Sequence, residues 1–212
     1  MIRIFIVDDH AIMRDGLKRI LSEDHNMEVV GEAGDGDQAL ESLRQIQWDV
    51  LLLDVSMPGM SGLEVLRAVR KDHPRGTVLI LTQHSDHLLA KRYFKAGALG
   101  FITKVKAAEV LLKGIRKVAW GGRFFSSDIA EQLVGETLNG EADVMPHETL
   151  TDREYGIMCR LVAGIPLKLI AHELSISVSS VSTYRNRILA KIQVDNNAEL
   201  VHYAIKNGIL NR

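Results

Sequence analysis

Residues 1–122 alternate between continuous apolar stretches and stretches in which apolar residues recur every three or four positions. The continuous runs are rich in β-branched residues and predict strands that are covered on both faces. The periodic stretches between them predict amphipathic helices. Five β/α units of this kind indicate an α/β, doubly wound fold with a five-stranded parallel sheet. The predicted strands span residues 2–7, 27–33, 49–54, 77–82 and 98–103.

The rest of the chain divides into two stretches with different patterns. Residues 123–147 contain a short helical pattern at 128–138 and then an acidic, proline-containing run, which indicates an exposed linker. Residues 148–212 show only short helical patterns, two of them joined by the tight turn Ser-Ile-Ser, which favours a helix-turn-helix. We therefore predict a first domain at 1–122, a linker at 123–147 and a second domain at 148–212. The helices of the second domain are predicted at 152–163, 166–174, 178–193 and from 197 to about 207.

Composition and charge narrow the class of protein. The 212 residues are 46% hydrophobic and 25% charged, which is typical of a globular chain long enough for two small domains. The single cysteine, Cys159, excludes an internal disulfide. No signal sequence or long apolar run is visible, so we expect a cytoplasmic protein without membrane contact. The net charge of −1 is unevenly spread, since residues 123–147 carry −4 and residues 148–212 carry +2.

Chemically reactive side chains stand where the predicted strands end. The carboxyl ends of parallel strands meet at one edge of a sheet, where doubly wound folds bind ligands. Three close carboxylates favour a divalent cation such as Mg²⁺ together with a phosphoryl group, and a carboxylate can itself be phosphorylated. Taken alone, Asp54 in LLLDVSMPG would be interpreted as an Asx turn or a helix cap. The strand-end residues are Asp8, Asp9, Asp54, Thr82 and Lys104.

Together these motifs resemble the receiver domain of two-component response regulators, which has a flavodoxin-like fold. The match consists of Asp-Asp after strand one, D-x-x-M-P-G after strand three, Thr at strand four and Lys after strand five. The resemblance implies that a histidine kinase phosphorylates Asp54 and that Lys104 holds the phosphoryl group. It also implies phosphate-dependent movement at Thr82 and Phe101, although Phe101 fits a plain core position as well. The implied Mg²⁺ ligands are Asp8, Asp9, Asp54 and the backbone carbonyl of Ser56.

One departure and one rival qualify this interpretation. The family usually has proline after the lysine, often in a cis bond, but here Lys104 precedes Val105. A non-proline cis bond costs about 3 kcal/mol, so we expect a trans bond and a different placement of the lysine. The rival is a metal-dependent phosphohydrolase with the C-terminal helices as a cap or adaptor. The haloacid dehalogenase type normally has a second aspartate two residues after the nucleophile, where this chain has Ser56.

The helix predicted at 178–193 has features of an element that reads DNA. Val181, Ile188 and Ile192 share an apolar face, and the segment between Leu174 and Val194 carries three basic residues and no acid. A positive helix with short polar groups on its outer face suits the major groove. In isolation, a solvated surface helix explains the same pattern.

Residues 148–212 as a whole resemble the LuxR-type helix-turn-helix that ends NarL/FixJ response regulators. L-T-x-R-E, I-A-x-x-L and S-V-x-T-Y-R-x-R-I-x-x-K occur in order, and the T-Y-R-x-R-I variant most resembles the GacA/UvrY branch. The resemblance implies binding to double-stranded DNA, a homodimer on activation, RNA polymerase as a further candidate partner, and no turnover activity. The alternative is a receiver that acts through protein contacts alone. The implied DNA-binding residues are Lys168, Ser182, Thr183, Tyr184, Arg185, Asn186, Arg187 and Lys191.

Overall fold

A computed structural model describes the chain in two compact units, Met1–Gly135 and Glu136–Arg212. The division between them falls inside the segment 123–147 that the sequence indicates as a linker. Within the described residues, no helix combines the length and apolar character that spanning a bilayer requires. The described residues are 1–55, 57, 59–83, 87–127, 129–130, 145–207 and 209, and at 87, 88 and 152 the description is limited to the backbone.

The first unit is a parallel sheet flanked by helices, which confirms the α/β prediction. Its strand order is β2-β1-β3-β4-β5-β6, and β1 and β3 are neighbours although a strand and two helices separate them in sequence. The strands are β1 (Ile2–Val7), β2 (Met27–Ala33), β3 (Val50–Asp54), β4 (Thr77–Thr82), β5 (Gly100–Thr103) and β6 (Phe124–Phe125). The helices are α1 (Ala11–Leu21), α2 (Gly36–Leu43), α3 (Gly62–Asp72), α4 (His87–Lys95) and α5 (Ala107–Ala119).

Strand β3 shows why the strands appear in the sequence as continuous apolar runs. Leu51 and Leu53 pack into the core on one face of the sheet, whereas Val50 and Leu52 pack into the core on the other face. All five residues of β3 are buried, including Asp54 at its end. Helices cover both faces, so a period of two is absent and the strand leaves the core only at its carboxyl end.

The sixth strand corrects the predicted count of five. Phe124 and Phe125 pair with β5 in parallel register, and the Phe125 ring stacks on Phe94 of α4 with centroids 4.2 Å apart. Phe124 is 8% exposed and lies against α5 at Gly114. A strand of two residues is too short to produce a periodic pattern, which is why the sequence indicated linker here. The start of that segment therefore belongs to the sheet of the first unit.

The second unit is helical, as the sequence predicts. Thr151 and Glu154 form a capping box at the start of α6, a spacing that is also visible in the sequence. Ser177 caps α8 by accepting a hydrogen bond from the Ser180 amide. The last helix is capped by Asn196. Most of the helix predicted at 128–138 lies outside the described residues. The elements are a 3-10 helix (Pro146–Thr149), α6 (Asp152–Val162), α7 (Leu167–Glu173), α8 (Val178–Ile192) and α9 (Asn197–Lys206).

We predict that β6 contributes to the stability of the first unit. Phe124→Ala removes a buried ring and should lower the free energy of unfolding by about 3 kcal/mol. The control is Trp120→Ala, because Trp120 is 88% exposed at the end of α5. Urea denaturation followed by Trp48 fluorescence measures both variants. Equal stability of the two variants would show that β6 is dispensable.

Candidate functional site

The sheet brings three carboxylates to its carboxyl edge. Strands β1 and β3 run side by side with Val7 opposite Leu53, so the residues that follow them, Asp8 and Asp54, come to the same place. Asp8 is 0% exposed and Asp54 is 2% exposed, whereas Asp9 is partly exposed. Ligand atoms of Asp8, Asp9 and Asp54 lie within 4.8 Å of one another. The structure therefore assembles the cluster that the strand ends predict.

Lys104 lies between two of these carboxylates. Its ammonium is 2.7 Å from Asp8 Oδ2 and 2.9 Å from Asp54 Oδ2, and its side chain is 7% exposed. Burial by itself lowers the pKa of Lys104, but the hydrogen bond to Asp8 and the attraction of Asp54 outweigh it, so the pKa is raised. The lysine is thus held as a cation in the pocket.

The Lys104–Val105 peptide bond is trans, as expected without proline. With this trans bond the ammonium contacts both carboxylates, and the different placement of the lysine relative to proline-bearing relatives stays a prediction. Its backbone is held by a hydrogen bond from the Lys104 amide to the Thr82 carbonyl, 2.6 Å long, which extends the ladder between β4 and β5. Val105 itself is 81% exposed.

Two further contacts fix the backbone of the pocket. A Cβ atom on Gly62 would lie 2.3 Å from the Asp54 backbone oxygen, so only glycine allows α3 to begin this close to β3. On the other side, Arg14 of α1 donates from Nη1 to the Asp8 backbone oxygen at 2.7 Å. These contacts set where the two buried carboxylates stand.

The remaining predicted residues of the pocket have different surroundings. Thr82 is 1% exposed and pairs in register with Thr103 at the same edge. Phe101 is 0% exposed, and its ring centroid lies 6.0 Å from that of Tyr93, within the core. Ser56 lies outside the described residues. A buried Phe101 agrees with both interpretations of that residue.

His10 joins the cluster and was not predicted from the sequence. Its Nδ1 lies 2.8 Å from Asp9 Oδ1 and 3.4 Å from Asp8 Oδ1, and its amide donates to Asp8 Oδ1 at 2.9 Å. It belongs with Asp8, Asp9 and Asp54 to the group whose ligand atoms lie within 4.8 Å of one another. The sequence feature that could have indicated His10 is its place directly after Asp8 and Asp9. A turn that brings two carboxylates to the pocket keeps the next side chain close to it.

The donor set fits a divalent cation. Three carboxylates and one ammonium leave an excess of negative charge in a mostly buried pocket, and carboxylate oxygens are the ligands that Mg²⁺ prefers. Asp8, Asp9 and Asp54 would hold such an ion, and a bound ion would neutralise the charge of an incoming phosphoryl group. Charge balance and donor chemistry therefore both favour a cation at this edge of the sheet.

The second unit presents a separate candidate surface on α8. Val181, Ile188 and Ile192 are buried, as predicted, so the helix is fixed by one face. On the opposite face Thr183, Asn186 and Arg187 are exposed, while Ser182, Tyr184 and Arg185 are partly exposed. Lys168 is exposed on α7.

Two of the predicted basic residues have partners inside the unit. Lys191 Nζ lies 2.6 Å from Glu154 Oε2, the same oxygen that accepts hydrogen bonds from Thr151. Arg185 donates from Nε to Asn197 Oδ1 at 2.6 Å, which ties α8 to the start of α9. The sequence predicted a common role for the basic residues of α8, whereas the geometry separates these two from exposed Arg187.

Comparison with known proteins identifies the family. The family model of the response regulator receiver domain matches residues 4–116, and the model of bacterial regulatory proteins of the luxR family matches residues 148–204. The chain is a response regulator with a LuxR-type regulatory domain. This assignment confirms the resemblance inferred from the motifs and makes the chain a transcription regulator rather than a member of a known enzyme class.

Two curated relatives match this response regulator over nearly its whole length. Response regulator UvrY of Escherichia coli K12 is 35% identical over 211 residues, covering 100% of this chain and 97% of that protein. Response regulator GacA of Pseudomonas viridiflava is 34% identical over 210 residues, covering 99% and 98%. The expected likeness to the GacA/UvrY branch of the NarL/FixJ regulators is therefore confirmed.

Solved structures agree on the fold. A LuxR-family response regulator from Aurantimonas sp. SI85-9A1 is 34% identical with a TM-score of 0.62, covering 64% of this response regulator and 97% of that chain. RcsB of Salmonella enterica serovar Typhimurium, solved bound to promoter P1flhDC with the phosphomimetic BeF3-, is 22% identical with a TM-score of 0.70. That alignment covers 95% of this chain and 97% of the RcsB chain.

We predict that the Glu154 carboxylate makes the second unit acid-sensitive. Burial raises the pKa of Glu154, but hydrogen bonds from Lys191 and Thr151 outweigh this, so the pKa is lowered. A lowered folded-state pKa contributes stability above the ordinary carboxyl pKa of about 4.3, which is lost as pH falls through the folded value. Glu154→Gln should therefore be less stable than wild type near neutrality, and the difference should shrink in acid.

Urea denaturation of a fragment comprising residues 136–212, followed by circular dichroism between about pH 3 and 7, measures this difference. Glu148→Gln is the control, because Glu148 is exposed on the neighbouring 3-10 helix. A Glu154→Gln deficit that stays constant across the pH range would contradict the assignment.

Proposed function

We propose that this response regulator accepts a phosphoryl group on Asp54 from a sensor histidine kinase and that the modified chain pairs with a second copy on DNA to control transcription. The observation that carries the proposal is the contact between Asp54 and Lys104 in a pocket shared with Asp8 and Asp9. The proposed exchange takes place in the cytoplasm, the compartment that a chain with a single cysteine in its sequence favours. RNA polymerase is a further candidate partner.

The chemistry assigned to the pocket is a single transfer. A carboxylate oxygen of Asp54 attacks phosphorus, the bond from phosphorus to the kinase histidine breaks, and the electron pair of that bond returns to the imidazole. Lys104, now shared with Asp8, would hold a phosphoryl oxygen as a point charge. Asp8, Asp9, Asp54 and the Ser56 carbonyl would hold Mg²⁺, which would neutralise part of the charge of the phosphoryl group. Asp54 acts once per activation, so no enzymatic turnover is assigned.

The proposed readout passes through Thr82 and Phe101. The Thr82 hydroxyl stands at the same edge as Asp54, and Phe101 lies one strand further along the sheet. Reorientation of these two side chains would shift the receiver toward a state that pairs with another copy. A dimer would then present two copies of α8 to two half-sites of double-stranded DNA.

The residues of α8 are assigned separate roles. Thr183 and Asn186, with Ser182 and Tyr184 beside them, would contact base edges, because they are short or planar polar groups on the outward face. Arg187 and Lys168 would contact phosphates. Arg185 and Lys191 would approach the DNA phosphate backbone from positions that Asn197 and Glu154 already fix. Their contribution to DNA binding would therefore depend on those contacts.

We predict that Asp54→Asn abolishes phosphorylation. Incubation with acetyl phosphate and Mg²⁺ should add one phosphoryl group to the wild-type chain, as measured by intact mass, and none to the variant. Removal of Mg²⁺ should strongly slow the reaction, because the carboxylates would repel the incoming phosphate.

The control for this prediction is Asp72→Asn, which changes an aspartate on α3 that pairs with Arg44 outside the pocket. This control should be phosphorylated like the wild type. A full adduct on Asp54→Asn would place the reaction at another residue and refute the proposed site.

We also predict that Arg187 and Lys191 differ in their effect on DNA binding. Arg187→Ala should lower the slope of log affinity against log salt by about one unit, the value expected for one lost phosphate contact. Lys191→Ala should mainly destabilise the second unit, because it leaves the Glu154 carboxylate without its ammonium partner. Titrations at several salt concentrations, on operator and random DNA, measure both slopes.

Asn186→Ala provides the matched comparison for base reading. It should reduce the difference in binding free energy between operator and random DNA by roughly 1–3 kcal/mol. The slope of log affinity against log salt should stay unchanged. If Asn186→Ala and Arg187→Ala weaken binding to both DNAs equally, α8 contacts only the DNA phosphate backbone. The proposed division between base contacts and phosphate contacts is then wrong.

A further inference from the structure

We propose that Tyr93 is a positioning residue that links the backbone after Asp54 to the ring of Phe101. The inference rests on the proposed function and names the side chain through which a change at Asp54 reaches Phe101. It follows from the burial of a polar tyrosine, from the positions of its hydroxyl and its ring, and from the anchoring of its backbone at the end of α4.

The hydroxyl of Tyr93 lies at the carboxyl end of β3. A Cβ atom on Gly62 would stand 3.0 Å from this hydroxyl, 2.3 Å from the Asp54 backbone oxygen and 3.1 Å from the Val55 Cα. The tyrosine hydroxyl and the backbone after Asp54 therefore border the same small space beside Gly62. Tyr93 is 2% exposed, and a buried tyrosine hydroxyl normally makes a hydrogen bond that fixes its position. A shift of this stretch of backbone thus displaces the hydroxyl.

The ring of Tyr93 lies beside Phe101 in the same core. The two ring centroids are 6.0 Å apart, and the ring planes are tilted by 59°. Both residues belong to the cluster of buried side chains on one face of the sheet, and Phe101 is 0% exposed. Protein cores are close-packed, so a buried ring changes place only if its neighbours give way. The proposed reorientation of Phe101 therefore depends on a movement of Tyr93.

The backbone of Tyr93 is anchored at the end of α4. Its carbonyl accepts a hydrogen bond from the Ala98 amide at 2.9 Å. Arg70 of α3 donates to the Gly97 carbonyl just after α4 and, at 2.8 Å, to the carbonyl of Gly76, the residue before β4. The end of the helix is thus fixed to α3 and to the start of β4. With its backbone held in this way, a displacement of the tyrosine hydroxyl moves the ring rather than the helix.

The hydroxyl is the part of Tyr93 that distinguishes this role from plain core packing. A group couples two sites only if its interactions differ between the two states of the protein. Tyr93→Phe keeps the ring beside Phe101 but removes the group that borders the backbone after Asp54. A residue that only fills the core predicts unchanged coupling for this substitution, because phenylalanine occupies nearly the same volume.

The first measurement is the dimerisation of the full-length chain by sedimentation velocity, with and without beryllium fluoride and Mg²⁺ as a mimic of the phosphoryl group. The ratio of the two dimer dissociation constants measures the coupling. Tyr93→Phe should reduce this ratio on the order of fivefold, the factor that corresponds to one hydrogen bond made in only one of the two states.

The second measurement is fluorine NMR of the chain labelled with 3-fluorotyrosine. The signal of Tyr93 is identified by its absence from the spectrum of Tyr93→Phe. It should shift when beryllium fluoride and Mg²⁺ are added to the wild-type chain, because the hydroxyl follows the backbone after Asp54. The same addition should leave the signal in place in Asp54→Asn.

Tyr155→Phe is the matched control, because Tyr155 is also 2% exposed but lies in α6 of the second unit. This variant should keep the wild-type ratio. Equal ratios in Tyr93→Phe and Tyr155→Phe, or a Tyr93 signal that does not respond to beryllium fluoride, would overturn the role of Tyr93 and leave the proposed function standing. A wild-type chain whose dimerisation does not respond to beryllium fluoride would overturn the proposed function and this inference with it.

Discussion

The buried ammonium of Lys104 is the interaction on which the receiver pocket depends. Two carboxylates with 0% and 2% exposure stand at the end of adjacent strands, and burying like charges together is unfavourable unless a cation compensates them. Lys104 reaches both from the end of β5, which is separated from β3 by β4, at 2.7 and 2.9 Å. Lys104 therefore offsets part of the negative charge of the cluster, and the remaining negative charge favours a cationic ligand.

The sheet topology explains why residues so distant in sequence meet. The order β2-β1-β3-β4-β5 puts the ends of β1, β3, β4 and β5 along one edge, and close approach is allowed by Gly62, whose missing Cβ admits α3 beside the Asp54 carbonyl. A single side chain also joins two elements in the second unit. One oxygen of Glu154 caps α6 and also contacts the Lys191 ammonium of α8. In both units a single polar group joins elements that hydrophobic packing has already brought together.

The sequence predicted the parts of this arrangement that depend on local pattern. Apolar runs ending in Asp8, Asp54 and Thr82 located the strands and the edge where their side chains meet. The capping box of α6 and the apolar face of α8 were also readable from the sequence, because each depends on residues a few positions apart. Two-residue β6 was not predicted, since no period exists over so short a run.

Long-range pairing was the other limit of prediction. Glu154 and Lys191 are 37 positions apart, and no spacing rule links them, so Lys191 was predicted only as a residue facing DNA. His10 was not predicted, although its place directly after Asp8 and Asp9 is visible in the sequence. The reach of Lys104 depends on the hydrogen bond that extends the ladder between β4 and β5, which no local pattern specifies.

The difference between exposed and anchored side chains on α8 has a consequence for redesign. Thr183, Asn186 and Arg187 lie on a face that carries no part of the packing, whereas Arg185 and Lys191 are anchored to other helices of the same unit. Outward residues can be exchanged as a set, with the anchored ones kept, without altering how the helix is seated. Under the proposed function, the outward residues of α8 would form a surface that can be exchanged to change the DNA target while the packing of the helix stays constant.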